Sequence, residues 1–133
     1  MAAIYPSDLT YVWTDSWQKI RDGSYGFSGG HFFLIGKRST VGDLGLAAGN
    51  NYKFTFHFKY AQEDSIQVKV VVKTKDECKN RTDTISKSTG LIEIETDSVL
   101  LGDNFDTIEF FVYTTDVKAV KGVYIYSITP SVV

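Results

Sequence analysis

From Tyr52 to Tyr60 the chain alternates without a break. Tyr52, Phe54, Phe56, Phe58 and Tyr60 are aromatic, and Lys53, Thr55, His57 and Lys59 fill the gaps. Successive side chains of a strand point to opposite faces, so a period of two predicts a strand with one aromatic and one polar face. A helix would scatter the same rings around its axis. Residues 66–73 repeat the pattern, with Ile66, Val68, Val70 and Val72 on one face and Gln67, Lys69 and Lys73 on the other. Only a short turn at residues 62–65 separates the two runs, which predicts an antiparallel hairpin. Residues 107–114 place Ile108, Phe110 and Val112 on one face and Glu109, Phe111 and Tyr113 on the other. Apolar groups on both faces predict a central strand, or one whose second face meets a partner. Residues 122–128 form the predicted closing strand, ended by Pro130, with Tyr124 and Tyr126 opposite Val123 and Ile125.

Weaker signals fill in the rest. Residues 1–8 read as an extended lead-in. Residues 9–13 read as a short strand, continued by residues 17–20 after a bend at Asp15 and Ser16. The stretch 22–30, with Gly26, Gly29 and Gly30, predicts a shaped loop before the buried run 31–35. It lacks the spacing of a phosphate-binding loop. Residues 36–40 turn the chain out, and Leu44 and Leu46 are candidate edge-strand residues. Residues 91–95 resume alternation with Ile92 and Ile94 inward, and residues 47–51 and 100–104 read as turns. The polar stretch 74–88 is the longest predicted loop, and residues 115–121 form another. Sustained helical periodicity is missing. About eight short strands at loop-sized spacing predict an all-β fold: one antiparallel β-sandwich, jelly-roll-like, spanning residues 1–133 as a single domain.

Composition narrows the functional classes. The 133 residues include 43% hydrophobic side chains, enough for an ordinary core. Fourteen basic against sixteen acidic residues give a net charge of −2, which offers no overall basic field for nucleic acid. The lone cysteine, Cys78, excludes an intrachain disulfide, and its mixed-charge setting gives no reason for a reactive thiol. The first residues lack the basic start and apolar stretch of a secretory leader, and no run approaches a membrane span. A soluble chain with no secretory route of its own is therefore expected. Asn80-Arg-Thr82 matches a glycosylation sequon, which without secretion reads as chance.

Catalysis finds little support. Most acidic residues fall in turns, among them Asp22, Asp43, Asp64, Asp76 and Asp103. Glu93 and Glu95 share the outer face of one strand. They could form a glycosidase pair, but a solvated strand face accounts for them more simply. His31 and His57 have no ligand-spaced partners, so no metal is expected. Ser16 and Ser28 lack a nucleophile-elbow context. The expectation is a non-catalytic protein without cofactors. Exposed aromatic rings suit binding, because a flat ring stacks on the apolar face of a sugar or packs against another protein. Trp13, Trp17, Tyr25, Phe111, Tyr113, Tyr124 and Tyr126 are the rings whose burial alternation leaves open. If the two C-terminal strands are neighbours, Phe111, Tyr113, Tyr124 and Tyr126 line one outer face, and such a patch marks an interface.

The order of Trp17, then Gly23-Ser-Tyr25, then Gly49-Asn-Asn-Tyr-Lys-Phe-Thr-Phe56, a valine-rich strand and two terminal strands resembles the jelly-roll carbohydrate-binding modules. These are found beside glycoside hydrolases and on phage virion proteins. The resemblance covers nearly the whole chain and implies a sandwich that binds rather than catalyses. Two departures qualify what it implies. Modules of this type often carry an acidic residue in the last strand that holds a structural calcium, and Val123-Tyr-Ile-Tyr-Ser-Ile128 has none. They also normally sit in secreted enzymes. A free-standing sandwich without a leader looks more like a virion component, such as a head-decoration or tail accessory protein. The leading expectation is thus a structural and interaction protein of a virion, docking on capsid or tail subunits or on copies of itself. The alternative is a carbohydrate-binding module that stacks a surface glycan on exposed aromatics, outside the cell within a larger secreted assembly. Neither nucleic acid nor membrane is an expected partner.

Overall fold

The computed structural model describes residues 4, 10–14, 17–19, 25–27, 34–87, 91–114 and 123–133. They form β1 (Thr10–Thr14), β2 (Trp17–Lys19), β3 (Tyr25–Phe27), β4 (Leu34–Thr40), β5 (Asn51–Tyr60), β6 (Ile66–Thr74), β7 (Cys78–Ile85), β8 (Ile92–Glu95), β9 (Val99–Leu100), β10 (Thr107–Thr114) and β11 (Val123–Val132). A front sheet has the order β1-β4-β10-β6-β7. A back sheet has the order β2-β3-β11-β5-β8, with β9 also pairing β5. All these pairings are antiparallel. The fold is an all-β antiparallel sandwich of the jelly-roll kind.

The two sheets meet through the strands whose alternation is cleanest. Tyr52, Phe54, Phe56, Phe58 and Tyr60 of β5 are all buried, as are Val68, Val70 and Val72 of β6 and Ile108, Phe110 and Val112 of β10. The Phe110 ring meets Phe54 edge-on at 5.3 Å between centroids and Phe56 at 6.2 Å. Tilted and edge-on contacts at these distances are favourable beyond the area they bury.

The predicted hairpin of residues 52–60 with 66–73 does not form. β5 pairs β11 and β8 in the back sheet, while β6 pairs β10 and β7 in the front sheet. Residues 61–65 carry the chain across the sandwich, with Tyr60 Oη donating to the Asp64 carboxylate. The reason is burial. Each strand has one complete apolar face, and placed in opposite sheets the two faces cover each other.

Other expectations are corrected for related reasons. Residues 17–20 do not extend the first strand, because β1 lies in the front sheet and β2 in the back. Residues 36–40 belong to β4 rather than to a turn. Leu44 and Leu46 lie in a looped segment shaped by Gly45 (φ 71°) and Gly49 (φ 86°), both in the left-handed region that favours glycine. Residues 99–100 are a short strand, not wholly a turn. Most of the predicted loop 74–88 is strand β7, a front-sheet edge. Its alternation is hidden because both of its faces are largely polar. Lys79, Arg81 and Asp83 fall on rows with buried Val72, Val70 and Val68, at the open margin of the sandwich. There Arg81 Nη1 donates to the carbonyl of Glu95 on the opposite sheet (3.4 Å). Charges on the inner side of an edge discourage edge-to-edge pairing.

Pro130 does not end the last strand either, since β11 continues to Val132. Ile128 exchanges backbone hydrogen bonds with Ile4, on the side away from β5. Pro130 has the same parity, so its missing N–H removes no bond to β5. Of the predicted lead-in, Ile4 alone is described. His31, Ser16, Ser28, residues 115–121 and, apart from β3, the stretch 22–30 lie outside the described residues.

Two stability outcomes follow. Phe56→Ala is expected to destabilise the protein by about 3–5 kcal/mol in urea unfolding, because it empties the interlock beneath Phe110. A change within about 0.5 kcal/mol, the range of neutral surface sites, would refute that core assignment. Tyr52 Oη accepts from the backbone N–H of Ala47 at 2.9 Å and ties down the glycine-shaped loop. Tyr52→Phe is expected to cost about 1–2 kcal/mol and to speed amide exchange at Ala47, since it strands a part-buried donor.

Candidate functional site

Strand order decides which of the candidate aromatics meet. Phe110 faces the core, so alternation turns Phe111 to the outer face of the front sheet, where it is half-buried. Phe111 pairs with Val71 of β6 on one side and Gly36 of β4 on the other. Trp13 of β1 also pairs with Gly36, and Asn80 of β7 pairs with Val71. One row therefore crosses the sheet through Trp13, Gly36, Phe111, Val71 and Asn80. Gly36 has no side chain, so within this row no side chain is interposed between the Trp13 and Phe111 positions, two strand spacings or about 10 Å apart. Tyr113 is two residues beyond Phe111 on β10, in a row with Leu34, Lys69 and Thr82. On the other side, Glu109 lies in a row with Arg38, Lys73 and Cys78. The front face thus gathers Trp13, Phe111 and Tyr113 by register, with polar positions on both flanks.

Tyr124 and Tyr126 do not join them. They lie on β11 in the back sheet, so the proposed neighbouring of the two C-terminal strands fails. Both strands needed central places, and each found one in a different sheet. Tyr126 occupies a bulge. The register on β5 steps from Phe58 opposite Ile125 to His57 opposite Ser127, leaving Tyr126 without a partner. The extra residue lets Ile125 and Ile128 both reach the core. Lys59 Nζ lies 5.7 Å from the centre of the Tyr126 ring, a cation–π contact. Trp17 and Tyr25 fall in rows that end on Tyr60 and Phe58 of β5, both buried, so their register is that of the core side.

The outer face of the back sheet is a polar surface whose side chains largely pair with one another, with His57 Nδ1 left without a hydrogen-bond partner among the described residues. Lys53 Nζ lies 3.8 Å from Glu95 Oε1, and Thr55 Oγ1 donates to Glu95 Oε2 at 3.5 Å. His57 Nε2 shares a 2.9 Å hydrogen bond with Thr129 Oγ1, and Nδ1 lies 3.8 Å from Glu93 Oε1. Glu95 is thus engaged by Lys53 and Thr55, and Glu93 lies beside the His57–Thr129 pair. Among the described residues no group of three or more His, Cys, Asp or Glu is placed to hold a metal ion.

The sequence reading missed Phe105, the most exposed of the large apolar side chains described, at 87%. Its N–H donates to Asp103 Oδ1 at 2.9 Å, and Gly42 N–H donates to the Asn104 carbonyl at 2.9 Å. A Cβ on Gly42 would approach that carbonyl to 3.2 Å, so glycine permits the close contact. The signal was local: an aromatic among Asp103, Asn104 and Asp106 has no apolar neighbour at strand spacing. Leu100 and Val133 are exposed beside Asn51 at the same end of the sandwich.

No protein-family model matches the sequence, and no curated protein matches it. Solved structures do resemble its fold. The C-terminal CBM6 of a marine laminarinase from Zobellia galactanivorans superposes with a TM-score of 0.60 at 13% identity, covering 98% of each chain. A CBM6 module of the Cellvibrio mixtus lichenase 5A, in complex with cellotriose, gives 0.54 at 11% identity, with 98% of this chain and 95% of that one covered. The enzymatically active domain of a bacteriophage CBA120 tailspike gives 0.52 at 8% identity; it covers 94% of this chain but 19% of the tailspike chain. At such identities the likeness is one of fold, and that fold is the jelly-roll β-sandwich of the carbohydrate-binding modules.

Proposed function

We propose that this chain is a non-catalytic carbohydrate-binding domain whose ligand lies across the outer face of the front sheet, over Phe111. The observation that carries this reading is the row through Phe111. It keeps an aromatic ring and Val71 partly open to solvent, while the Trp13 and Tyr113 positions extend the same face. A pyranose offers an apolar face to such a ring and hydroxyls around its rim. Asn80 and Thr82, both exposed on β7, supply an amide and a hydroxyl at the margin of the strip. The structural similarity to modules named for carbohydrate binding supports the same reading. Trp17, Tyr25, Tyr124 and Tyr126 have no part in it, because their strands lie in the back sheet. The setting that suits this role is outside the producing cell, as part of a larger assembly.

One observation favours a second reading as a virion structural protein. The exposed Phe105, Leu100 and Val133 gather at an end of the sandwich that a ligand on the front sheet does not touch. The similarity to a phage tailspike domain points the same way.

A glycan array probed with the parent protein, Phe111→Ala and Tyr126→Ala separates the two. A defined glycan hit is expected that weakens at least about tenfold in Phe111→Ala, or about 1.4 kcal/mol, and persists in Tyr126→Ala. Phe111→Ala is expected to stay within about 1 kcal/mol of the parent in stability, because the side chain is outside the core. A parent silent on every glycan and oligomeric by light scattering would replace this reading with the assembly role.

A further inference from the structure

Charge on this protein is segregated by sheet. By register the outer face of the front sheet carries Arg38, Lys69 and Lys73 against Glu109 alone, while Lys37, Lys79, Arg81 and Asp83 fall in core-side rows. The chain as a whole has a net charge of −2, so the acidic excess lies elsewhere, mainly in the connecting segments. The back sheet shows no such bias on its outer face. There Lys53 is matched by Glu95, Lys59 sits over Tyr126, and Glu93 adds a second carboxylate.

The front-face bases are placed where a ligand over Phe111 would meet them. Lys69 lies in the row of Tyr113, on one side of the Phe111 row. Lys73 and Arg38 flank Glu109 in the row on the other side. Each is about 7 Å along its strand from the Phe111 row, since two residues of a strand rise that far. Glu109 is the one acid in these rows and stands between two bases. Lys73 is exposed, and no ion pair of its side chain is found among the described residues.

An ammonium group only donates hydrogen bonds and is a compact point charge. Neutral sugars are read well by amides and carboxylates, which also accept from hydroxyls. A strip of rings bordered by ammonium groups with one acid among them complements an anion instead. We infer that the ligand of the front face is an acidic polysaccharide built of uronic acid units. A uronate carboxylate projects from the edge of its ring. The ring face stays free to stack on Phe111 while the carboxylate meets Lys73, Lys69 or the Arg38 position. The inference rests on the glycan reading above and sharpens it to one class of glycan.

Calorimetric titration with hexagalacturonate, cellohexaose, a sulfated galactan oligosaccharide and single-stranded oligothymidylate tests it on the full chain. Hexagalacturonate is expected to bind about tenfold or more tighter than cellohexaose at low salt. It is expected to lose about tenfold by 1 M salt, where charges are screened beyond about 3 Å. Lys73→Gln, and the Lys69→Gln/Lys73→Gln pair more strongly, should weaken hexagalacturonate and leave the melting temperature unchanged. Phe111→Ala should weaken it as well. A neutral glycan that binds as tightly, without salt dependence but with loss in Phe111→Ala, overturns the uronate and leaves the glycan reading standing. Tighter binding of the sulfated galactan or of the oligothymidylate also overturns it, as does uronate binding that ignores Phe111→Ala. Silence toward every sugar ends both.

Discussion

The contact on which the rest depends is the entry of Phe110, from the front sheet, between Phe54 and Phe56 of the back sheet. It is the point at which two independently patterned strands become one core. Ring edges against ring faces fix the distance between the sheets and the parity of both strands at once. A slip of β10 by one residue would bury Phe111 and Glu109 in place of Ile108, Phe110 and Val112, leaving a carboxylate in an apolar interior. The outer face is therefore a consequence of the inner one. Phe111 is presented to solvent because Phe110 is not.

This dependence explains what could and could not be read in advance. The faces of β5, β6 and β10 were legible, because alternation is a property of single strands. Phe56, Val70 and Phe110 are buried as their spacing implies. Pairing was not legible. It depends on which faces must cover which, and a short link such as residues 61–65 serves an arch between sheets as well as a hairpin within one. β7 was hidden for a different reason: as an edge strand it needs neither an apolar face nor a period. Its residues Cys78 to Thr84 read like a loop until Ile85.

For the site, parity placed Phe111 and Tyr113 on an outer face, but the company they keep came from strand order. Trp13, nearly a hundred residues earlier, joins them only because β4 lies between β1 and β10 and offers Gly36 at the shared position. Tyr124 and Tyr126 carried the same alternation signal and belong to the other sheet. The bulge at Tyr126 is also invisible to a strict period of two, since it adds one residue while keeping Ile125 and Ile128 inward.

Because inner and outer positions alternate along the same strands, stability and binding are separable at neighbouring residues. The inner set must be apolar and must fill the space between the sheets, which constrains size and shape but not chemistry of recognition. The outer set is free of that demand, so the ring at Phe111, the gap at Gly36 and the bases at Lys69 and Lys73 can be exchanged with little effect on the core. The charge of the front face is thus better explained by what lies against it than by folding. Surface ion pairs contribute little to stability, and three bases against one acid on that face is a poor arrangement for making them. Folding alone creates no need for three bases and one acid on the face that carries Phe111. An anionic ligand on that sheet supplies one.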